Sequence, residues 1–396
     1  MKRIILTLCL GILSSALFAQ SKADIDINQY SQGNVRVVIV NDLGGDPDGL
    51  FQLAQHLLSP SSDIRGIVCS TLPGRAGFGG GSDEPMPQPG QGAGPGVPGG
   101  NRPEGAPSGG PGAQGPSGPG APGSGGPQGA PRQASSVTQR GIDNVNQMLE
   151  LMGVSGQYRV VAGSDKTMTS STEPQDSEGA RLIIEEALRT DTQAPLFVVC
   201  GGGMTDVASA YLLNPEIEGK FTLVWIGGQE YEDLAIPPPG YSVPEYNLNI
   251  DIPAVQAVFN DSKIPIWQVP RDVYRQCNYS LAELVTEVEP QGALGAYLAG
   301  QITRIMGGMS RFGMPAGESY VLGDSPLVLL TSLRCVFESD PSSCRYVVKQ
   351  APEIADDGTY RYRHDGRPIR VYTQVDTRLM FGDMVAKLKL LAKTQQ

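Results

Sequence analysis

One stretch near the start of the chain, residues 35–58, constrains the fold more than any other. It opens with the apolar run VRVVIV, which is typical of a strand buried on both faces of a parallel sheet. Leu50, Leu53 and Leu57 then fall on one stripe of a helix. A buried strand that leads directly into a helix indicates an α/β fold, with a mostly parallel central sheet and helices on both faces.

The turn between this strand and helix is rich in carboxylates. Asp42, Asp46 and Asp48 stand there, and Gly44 and Gly45 permit a tight turn. In open parallel sheets, ligands bind at the carboxyl ends of the strands. Carboxylates this close repel one another unless bound protons or a cation compensate, and Ca²⁺ suits such ligands better than Mg²⁺.

The same turn also has a purely structural interpretation. Asp46 followed by Pro47 is typical of a helix N-cap with proline in the first helical position, and Asp48 would then complement the helix dipole. The turn alone leaves both interpretations open. It does argue against a phosphate-binding loop, because no Lys-Ser/Thr pair follows the glycines.

Strand and helix patterns alternate through the rest of the chain. Apolar strand patterns at 64–70, 158–162, 196–200, 221–226 and 264–269 are separated by helical ones, as expected for a parallel sheet. Acidic residues recur at two later turns into helices, at positions 206 and 324. Because the carboxyl ends of parallel strands share one edge of a sheet, these acidic turns are expected on the same side of the molecule.

Residues 76–134 differ sharply in composition from the rest of the chain. They are rich in Gly and Pro and contain almost no aliphatic side chains, so they cannot bury enough apolar surface to offset their ordering entropy. We predict a disordered insertion within a single α/β domain that spans 20–396. A linker between two domains is disfavoured, because the strand at 64–70 would then lack a partner.

The first residues predict export. MKRIILTLCLGILSSALFAQ combines a basic start, a short apolar centre and a small-residue ending, which indicates a signal peptide over 1–19 and a periplasmic or extracellular protein. No later segment is long and apolar enough to predict a transmembrane anchor. Cys335 and Cys344 flank the turn-like ESDPSS stretch, so an oxidising compartment would permit a local disulfide between them.

The charge of the chain limits its partners. With 30 basic and 41 acidic side chains the formal net charge is −11. An acidic protein of this kind is not expected to bind nucleic acid through a general phosphate-contacting surface.

Several stretches together resemble the nucleoside hydrolases, the inosine-uridine type of N-ribohydrolase. They are the Asp-rich turn at 42–48, LFVVCGGGMTDVASA at 196–210, the strand ending in Gly-Gly at 221–228, EYN at 245–247 and GDSPL at 323–327. The resemblance implies a Rossmann-like nucleoside hydrolase fold. It also implies Ca²⁺-dependent hydrolysis of N-glycosidic bonds in nucleosides or related ribosyl compounds, with a small molecule as the partner and a homo-oligomer left open.

The resemblance also implies the roles of individual residues. Asp48 is the expected general base, which takes the proton of the water that attacks the sugar. The other expected roles are metal ligand and substrate-binding residue: Asp42, Asp46, Thr205 and Asp324 for the metal, and Glu245, Asn247 and Arg75 for the substrate.

Two glycines depart from the family pattern. Gly49 stands where the family has a second aspartate, so Asp46 would have to replace that ligand. Gly323 stands where the family often has a histidine proposed to protonate the leaving base. The donor for that proton is therefore open among Tyr241, Glu178 and Arg75.

The two histidines of the chain are not expected to protonate the leaving base. His56 falls on the polar side of the first helical pattern and His364 lies in a predicted turn, which is typical of surface residues. Two functional hypotheses follow: an exported N-glycosidic hydrolase, or a non-catalytic sugar- or nucleoside-binding protein of the same fold.

Overall fold

A computed structural model describes residues 35–70, 136–237, 239, 244–311, 317–334 and 343–395. Several predictions fall outside these residues and stay predictions: the signal peptide 1–19, the insertion 76–134, and the roles of Arg75 and Tyr241. Cys344 is described and buried, whereas its expected disulfide partner Cys335 lies outside the described residues.

The strands and helices follow one another in alternation. The strands within the described residues are β1 (Val35–Asn41), β2 (Ser62–Cys69), β3 (Val160–Ala162), β4 (Leu196–Cys200), β5 (Thr222–Ile226), β6 (Ile266–Val269), β7 (Asn278–Ser280), β8 (Ser319–Val321), β9 (Arg345–Gln350), β10 (Glu353–Ile354), β11 (Tyr360–Arg361) and β12 (Pro368–Gln374). The α-helices there are α1 (Asp48–Leu57), α2 (Val137–Leu151), α3 (Glu178–Ala187), α4 (Thr205–Leu213), α5 (Tyr246–Ile250), α6 (Ile252–Gln256), α7 (Arg271–Tyr274), α8 (Leu281–Glu283), α9 (Gly292–Arg311), α10 (Pro326–Thr331) and α11 (Thr377–Thr394).

The central sheet has eight strands in the order β3-β2-β1-β4-β5-β6-β12-β9. Neighbouring strands are parallel except at one end, where β9 runs antiparallel to β12. The predicted mostly parallel α/β sheet is therefore confirmed. The strands β10 and β11, and β7 and β8, form two small antiparallel pairs beside it.

The strand β1 lies at the centre of this arrangement and is buried along its whole length. Val37 and Ile39 face one core, which α1, α2 and α9 cover, whereas Val38 and Val40 face a second core beneath α3, α4 and α6. Each such side chain contributes about 1.5–3 kcal/mol when it is buried. The unbroken apolar run in the sequence thus reflects a strand with a helix layer on each face.

The two strands that pair with β1 come from opposite sides of the interval 71–135 in the sequence. Its neighbours are β2, which precedes that interval, and β4, which follows it. Asn41 is in register with Cys69, and Val40 with Cys200, so the carboxyl ends of these three strands are level. These carboxyl ends therefore share one edge of the sheet.

The long helices that the structure describes pack on this sheet. Leu298 and Ile302 of α9 and Met384 and Leu388 of α11 belong to the same core as Ile39. Of the helices that the structure describes, none is both long enough and apolar enough to cross a lipid bilayer.

The turn from β1 to α1 packs directly on the start of α2, which makes a clear prediction. A Cβ atom at Gly44 would lie 2.1 Å from the carbonyl oxygen of Val137 and 2.7 Å from the nitrogen of Gly141. Gly44→Ala should therefore lower the free energy of unfolding by about 1–3 kcal/mol, because backbone atoms must move apart. Gly300→Ala on the exposed side of α9, where a Cβ meets nothing within 4 Å, should raise it by about 0.5–1 kcal/mol. Urea unfolding measures both, and equal effects would contradict the prediction.

Candidate active site

A cavity of about 250 Å³ opens at the carboxyl edge of the sheet. Six of the residues predicted from the sequence line it: Asp42, Asp46, Asp48, Glu245, Asn247 and Asp324. The other lining residues are Gly201, Ile226, Tyr246, Tyr274, Val321 and Gly323. The structure thus brings together stretches that are up to 282 positions apart in the sequence, from Asp42 to Asp324.

The Asp-rich turn supplies three of the carboxylates. The nitrogen of Gly45 donates to the carbonyl oxygen of Asp42 at 2.7 Å, which closes the turn. The helix α1 begins at Asp48, with Pro47 at the N-cap position, so it starts one residue later than the sequence predicts. Asp46 still contributes to this start, because its Oδ1 accepts a hydrogen bond of 3.3 Å from the nitrogen of Asp48.

The fourth carboxylate, Asp324, comes from the turn before α10. Its main-chain nitrogen donates to Oδ2 of Asp48 at 3.2 Å, and its Oδ2 accepts a hydrogen bond of 2.8 Å from Nδ2 of Asn41. On the other side of the cluster, the hydroxyl of Tyr320 donates to Oδ1 of Asp46 at 2.8 Å. These contacts join the two acidic turns into one cluster.

Burial raises the pKa of all four carboxyl groups, and repulsion within the cluster raises the pKa of Asp42, Asp48 and Asp324 further. For Asp42 and Asp48 burial is the largest cause, followed by repulsion from Asp324, and both pKa values rise well above the usual value. Burial also raises the pKa of Asp46, against the hydrogen bond from Tyr320. The pKa of Asp324 rises to about 8 through burial, against the hydrogen bond from Asn41. The cluster therefore favours bound protons or a bound cation.

The chemistry of this donor set fits a hard divalent cation. Carboxylate oxygens are the ligands that Ca²⁺ prefers, and their raised pKa values show that their negative charge is poorly compensated by the protein alone. In the part of the chain that the structure describes, however, no three His, Cys, Asp or Glu side chains are already arranged to hold a metal ion. A cation would have to draw these carboxylates together.

Glu245 and Asn247 line the same cavity. Glu245 is buried at the start of α5, where its carboxylate accepts hydrogen bonds from the nitrogen of Gly228 at 2.8 Å and the hydroxyl of Tyr274 at 2.8 Å. Burial raises its pKa, and these donors oppose the rise. The amide of Asn247 donates to the carbonyl oxygen of Ile226 at 2.9 Å, at the end of β5. Both side chains are thus held rigidly beside the cluster.

Other predicted residues do not line the cavity. Thr205 is buried at the first position of α4, and its hydroxyl donates to Oδ2 of Asp251 at 2.6 Å. Asp206 beside it accepts hydrogen bonds from Ser164 and Ser177. Glu178, one of the proposed proton donors, is exposed at the start of α3. Arg75 and Tyr241 lie outside the described residues.

The prediction for His56 is wrong. The side chain is fully buried between α1 and α10, with its Nε2 3.0 Å from Oγ1 of Thr331. Burial and the nearby charge of Lys387 lower its pKa to about 3, so it is neutral at physiological pH. His364 is exposed, as predicted.

The sequence gives little signal for three residues that shape the site. Asn41 is the last residue of β1, Tyr274 ends α7 and Tyr320 lies in β8. Asn41 had one visible signal, because it is a polar residue that directly continues an apolar strand into the Asp-rich turn. The two tyrosines reach the carboxylates only through the fold.

Residues 115–389 match the profile of the family described as inosine-uridine preferring nucleoside hydrolase. That match does not include the Asp-rich turn at 42–48. No curated protein matches the chain.

Solved structures of similar fold cover more of the chain. The purine-preferring ribonucleoside hydrolase from Gardnerella vaginalis is 16% identical, with a TM-score of 0.60, and the match covers 91% of this chain and 99% of that one. The inosine-uridine preferring nucleoside hydrolase from Bacillus anthracis is 14% identical, with a TM-score of 0.55, covering 90% and 99%. The type III effector protein XopQ, in complex with adenosine diphosphate ribose, is 13% identical, with a TM-score of 0.53, covering 93% and 96%.

The raised pKa of Asp324 predicts that the metal-free protein loses stability as the pH rises. Below about pH 4 this group is protonated in both the folded and the unfolded state, and its stabilising contribution is fully present. As the pH rises through about 8 the folded state must ionise it, and that contribution is lost. The slope is at most about 1.4 kcal/mol per pH unit for one proton.

Asp324→Asn removes this titration and should flatten the slope. Urea unfolding between about pH 5 and pH 9 with a chelator present measures it. The matched control is Asp191→Asn, because hydrogen bonds from Arg189 lower the pKa of that exposed carboxyl to about 2, outside this range. Equal slopes for the parent protein and Asp324→Asn would contradict the prediction.

Proposed function

The chain belongs to the inosine-uridine preferring nucleoside hydrolase family, and we propose that it hydrolyses the N-glycosidic bond of a nucleoside or a related ribosyl compound. The observation that carries the proposal is that Glu245 and Asn247 line one cavity together with four aspartates, Asp42, Asp46, Asp48 and Asp324. Its volume of about 250 Å³ suits a small sugar. These residues include both the carboxylates and the amide that such chemistry requires.

We propose Ca²⁺ as the cofactor, with Mg²⁺ the less suitable ion. Asp42, Asp46 and Asp324, which line the cavity, would hold it. Thr205, whose carbonyl the resemblance implies as a further ligand, is not among the residues that line the cavity. Bound Ca²⁺ would polarise a water molecule and bind sugar hydroxyls. Mg²⁺ fits less well because it demands near-ideal octahedral geometry, whereas Ca²⁺ accepts flexible arrangements of oxygen ligands.

Asp48 is the proposed general base. It lines the cavity, and its two oxygens accept hydrogen bonds from the main-chain nitrogens of Gly49 and Asp324, which fix the orientation of the carboxylate. Its raised pKa favours the uptake of a proton from water. The water oxygen then forms a bond to the anomeric carbon. The bond from that carbon to the nucleobase nitrogen breaks, and its electron pair leaves with the nucleobase.

Glu245 and Asn247 are the proposed ribose-binding residues. A carboxylate accepts hydrogen bonds from sugar hydroxyls, and an amide both donates and accepts them. As the glycosidic bond breaks, the sugar acquires positive charge, which the surrounding buried carboxylates stabilise. Rigid anchoring of Glu245 by three donors supports this role, because a preorganised group loses little freedom when the substrate binds.

We also propose that the mature protein acts outside the cytoplasm. The support is the signal-peptide pattern at 1–19. A periplasmic or extracellular nucleosidase would meet free nucleosides and millimolar Ca²⁺ together, which suits a site of moderate calcium affinity.

The substitution Asp48→Asn tests the proposed reaction. It keeps the shape of the side chain but removes the base, so the release of reducing sugar should fall by about 10²–10⁴-fold. The assay uses a panel of purine and pyrimidine nucleosides with Ca²⁺. Glu185→Gln, on the exposed face of α3, is the control and should keep parent activity. No sugar release by the parent protein on any nucleoside would overturn the proposal.

A second candidate function is binding without turnover. It is favoured by Gly323, which lines the cavity but carries no side chain that could protonate a leaving base. The similar fold of an effector in complex with adenosine diphosphate ribose is consistent with it. Calorimetry with ribose, inosine and adenosine diphosphate ribose would then show binding while product analysis shows no cleavage; sugar release would reject this candidate.

A further inference from the structure

A row of buried polar side chains runs from the site into the core. Asn41, Gln52, His56 and Thr331 are at most 1% exposed. Nδ2 of Asn41 donates to Oδ2 of Asp324 at 2.8 Å and to Oε1 of Gln52 at 3.2 Å. Nε2 of Gln52 contacts Nδ1 of His56, and Nε2 of His56 lies 3.0 Å from Oγ1 of Thr331.

The direction of every hydrogen bond in this row follows from its far end. The hydroxyl of Thr331 donates to the carbonyl oxygen of Leu327 at 2.6 Å, so it accepts from His56. His56 therefore carries its proton on Nε2 and accepts at Nδ1 from the amide nitrogen of Gln52. The amide oxygen of Gln52 is then the acceptor for Asn41. The lowered pKa of His56 agrees with this neutral tautomer.

Both amide protons of Asn41 therefore have a defined acceptor. One proton goes to Gln52 and the other to Asp324, while its Oδ1 accepts a hydrogen bond of 2.8 Å from the main-chain nitrogen of Asp42. A single side chain thus contacts both of the acidic turns that form the cluster. Because Gln52 fixes the orientation of this amide, the amide cannot rotate to improve its hydrogen bond with one turn at the expense of the other.

Two glycines leave the space that this arrangement needs. A Cβ atom at Gly49 would lie 2.9 Å from Nδ2 of Asn41. A Cβ atom at Gly201 would lie 2.4 Å from the same nitrogen and 2.5 Å from Oδ2 of Asp324. Both positions therefore border the hydrogen bond between Asn41 and Asp324, and a side chain at either would break it.

We propose that Asn41, oriented by Gln52 and His56, is the positioning residue of the site, which holds the Asp324 carboxylate and the Asp42 turn in place for a divalent cation. The nature of what binds there rests on the proposed function. The positioning itself rests on the buried hydrogen bonds, so it is testable in the protein without metal or substrate.

The test compares two buried glutamines of the same helix. Gln52→Met breaks the row, whereas Gln55→Met removes an equally buried amide whose nitrogen donates to the carbonyl oxygen of Met380 at 3.0 Å and to Asp383 at 2.8 Å, away from the site. Hydrogen exchange of the full-length, metal-free protein should be about tenfold faster over residues 42–48 in Gln52→Met only. Exchange over β5 is the internal reference for global stability.

The second readout is the affinity for Ca²⁺, measured by calorimetry. Loss of a group that orients metal ligands typically weakens affinity about 10–100-fold, so Gln52→Met should bind Ca²⁺ at least tenfold more weakly than Gln55→Met. Asn41→Ala removes the central side chain directly and should also weaken Ca²⁺ binding. It replaces Gln52→Met in the test if that variant does not fold.

The outcomes separate this inference from the proposed function. Equal exchange over residues 42–48 in the two glutamine variants overturns the inference, as does equal Ca²⁺ affinity when the parent protein binds Ca²⁺. If the parent protein binds no Ca²⁺ and releases no sugar, the proposed function fails, and the exchange experiment still decides whether Asn41 positions the turn.

Discussion

The concentration of four carboxyl groups at one buried edge of the sheet is the constraint on which the site depends. Burial makes their charged forms costly, and repulsion within the cluster raises the pKa of Asp42, Asp48 and Asp324 further. The fold offsets this with a few donors, notably Asn41 toward Asp324 and Tyr320 toward Asp46. What remains uncompensated is negative potential in a small cavity, which suits a cation and a substrate that becomes positive as it reacts.

The sequence was sufficient to predict the parallel part of the central sheet, because its signals there are strong and local. The apolar run of β1 and the leucine stripe of α1 each follow from side-chain periodicity alone. The antiparallel edge formed by β9 was not predictable in the same way. Val347 and Val348 of that strand are only partly covered, so the burial that generates a clear pattern is absent there. The π-helical turn Ala257–Asp261 after α6 likewise has no periodic signature of its own.

The site was partly predictable for a topological reason. Parallel strands end at one edge, so the acidic turns after β1 and before α10 had to meet once the sheet was assigned. The partners of those carboxylates were not predictable, because Asn41 and Asp324 are 283 residues apart and their hydrogen bond is a product of the packed fold. The prediction that His56 lies on the surface failed for the same reason. Its helix face is polar in the sequence, yet α10 and α11 cover it. Buried polar side chains imitate a solvated face whenever a second layer provides their partners.

This packing also changes the meaning of Gly49. In the family pattern a second aspartate stands there, which makes the glycine look like a lost ligand. In the structure a side chain at this position would meet the amide of Asn41 at 2.9 Å, so the family's aspartate and the Asn41 amide compete for the same space. Relative to the pattern that the resemblance implies, this chain has a neutral donor to Asp324 instead of a second negative ligand. That difference reduces the repulsion that the metal-free fold must bear, and it reduces the charge offered to a cation. Because calcium affinity rises with the number of charged ligands, the Ca²⁺ proposed for this site would be held less tightly than by a full set of aspartates.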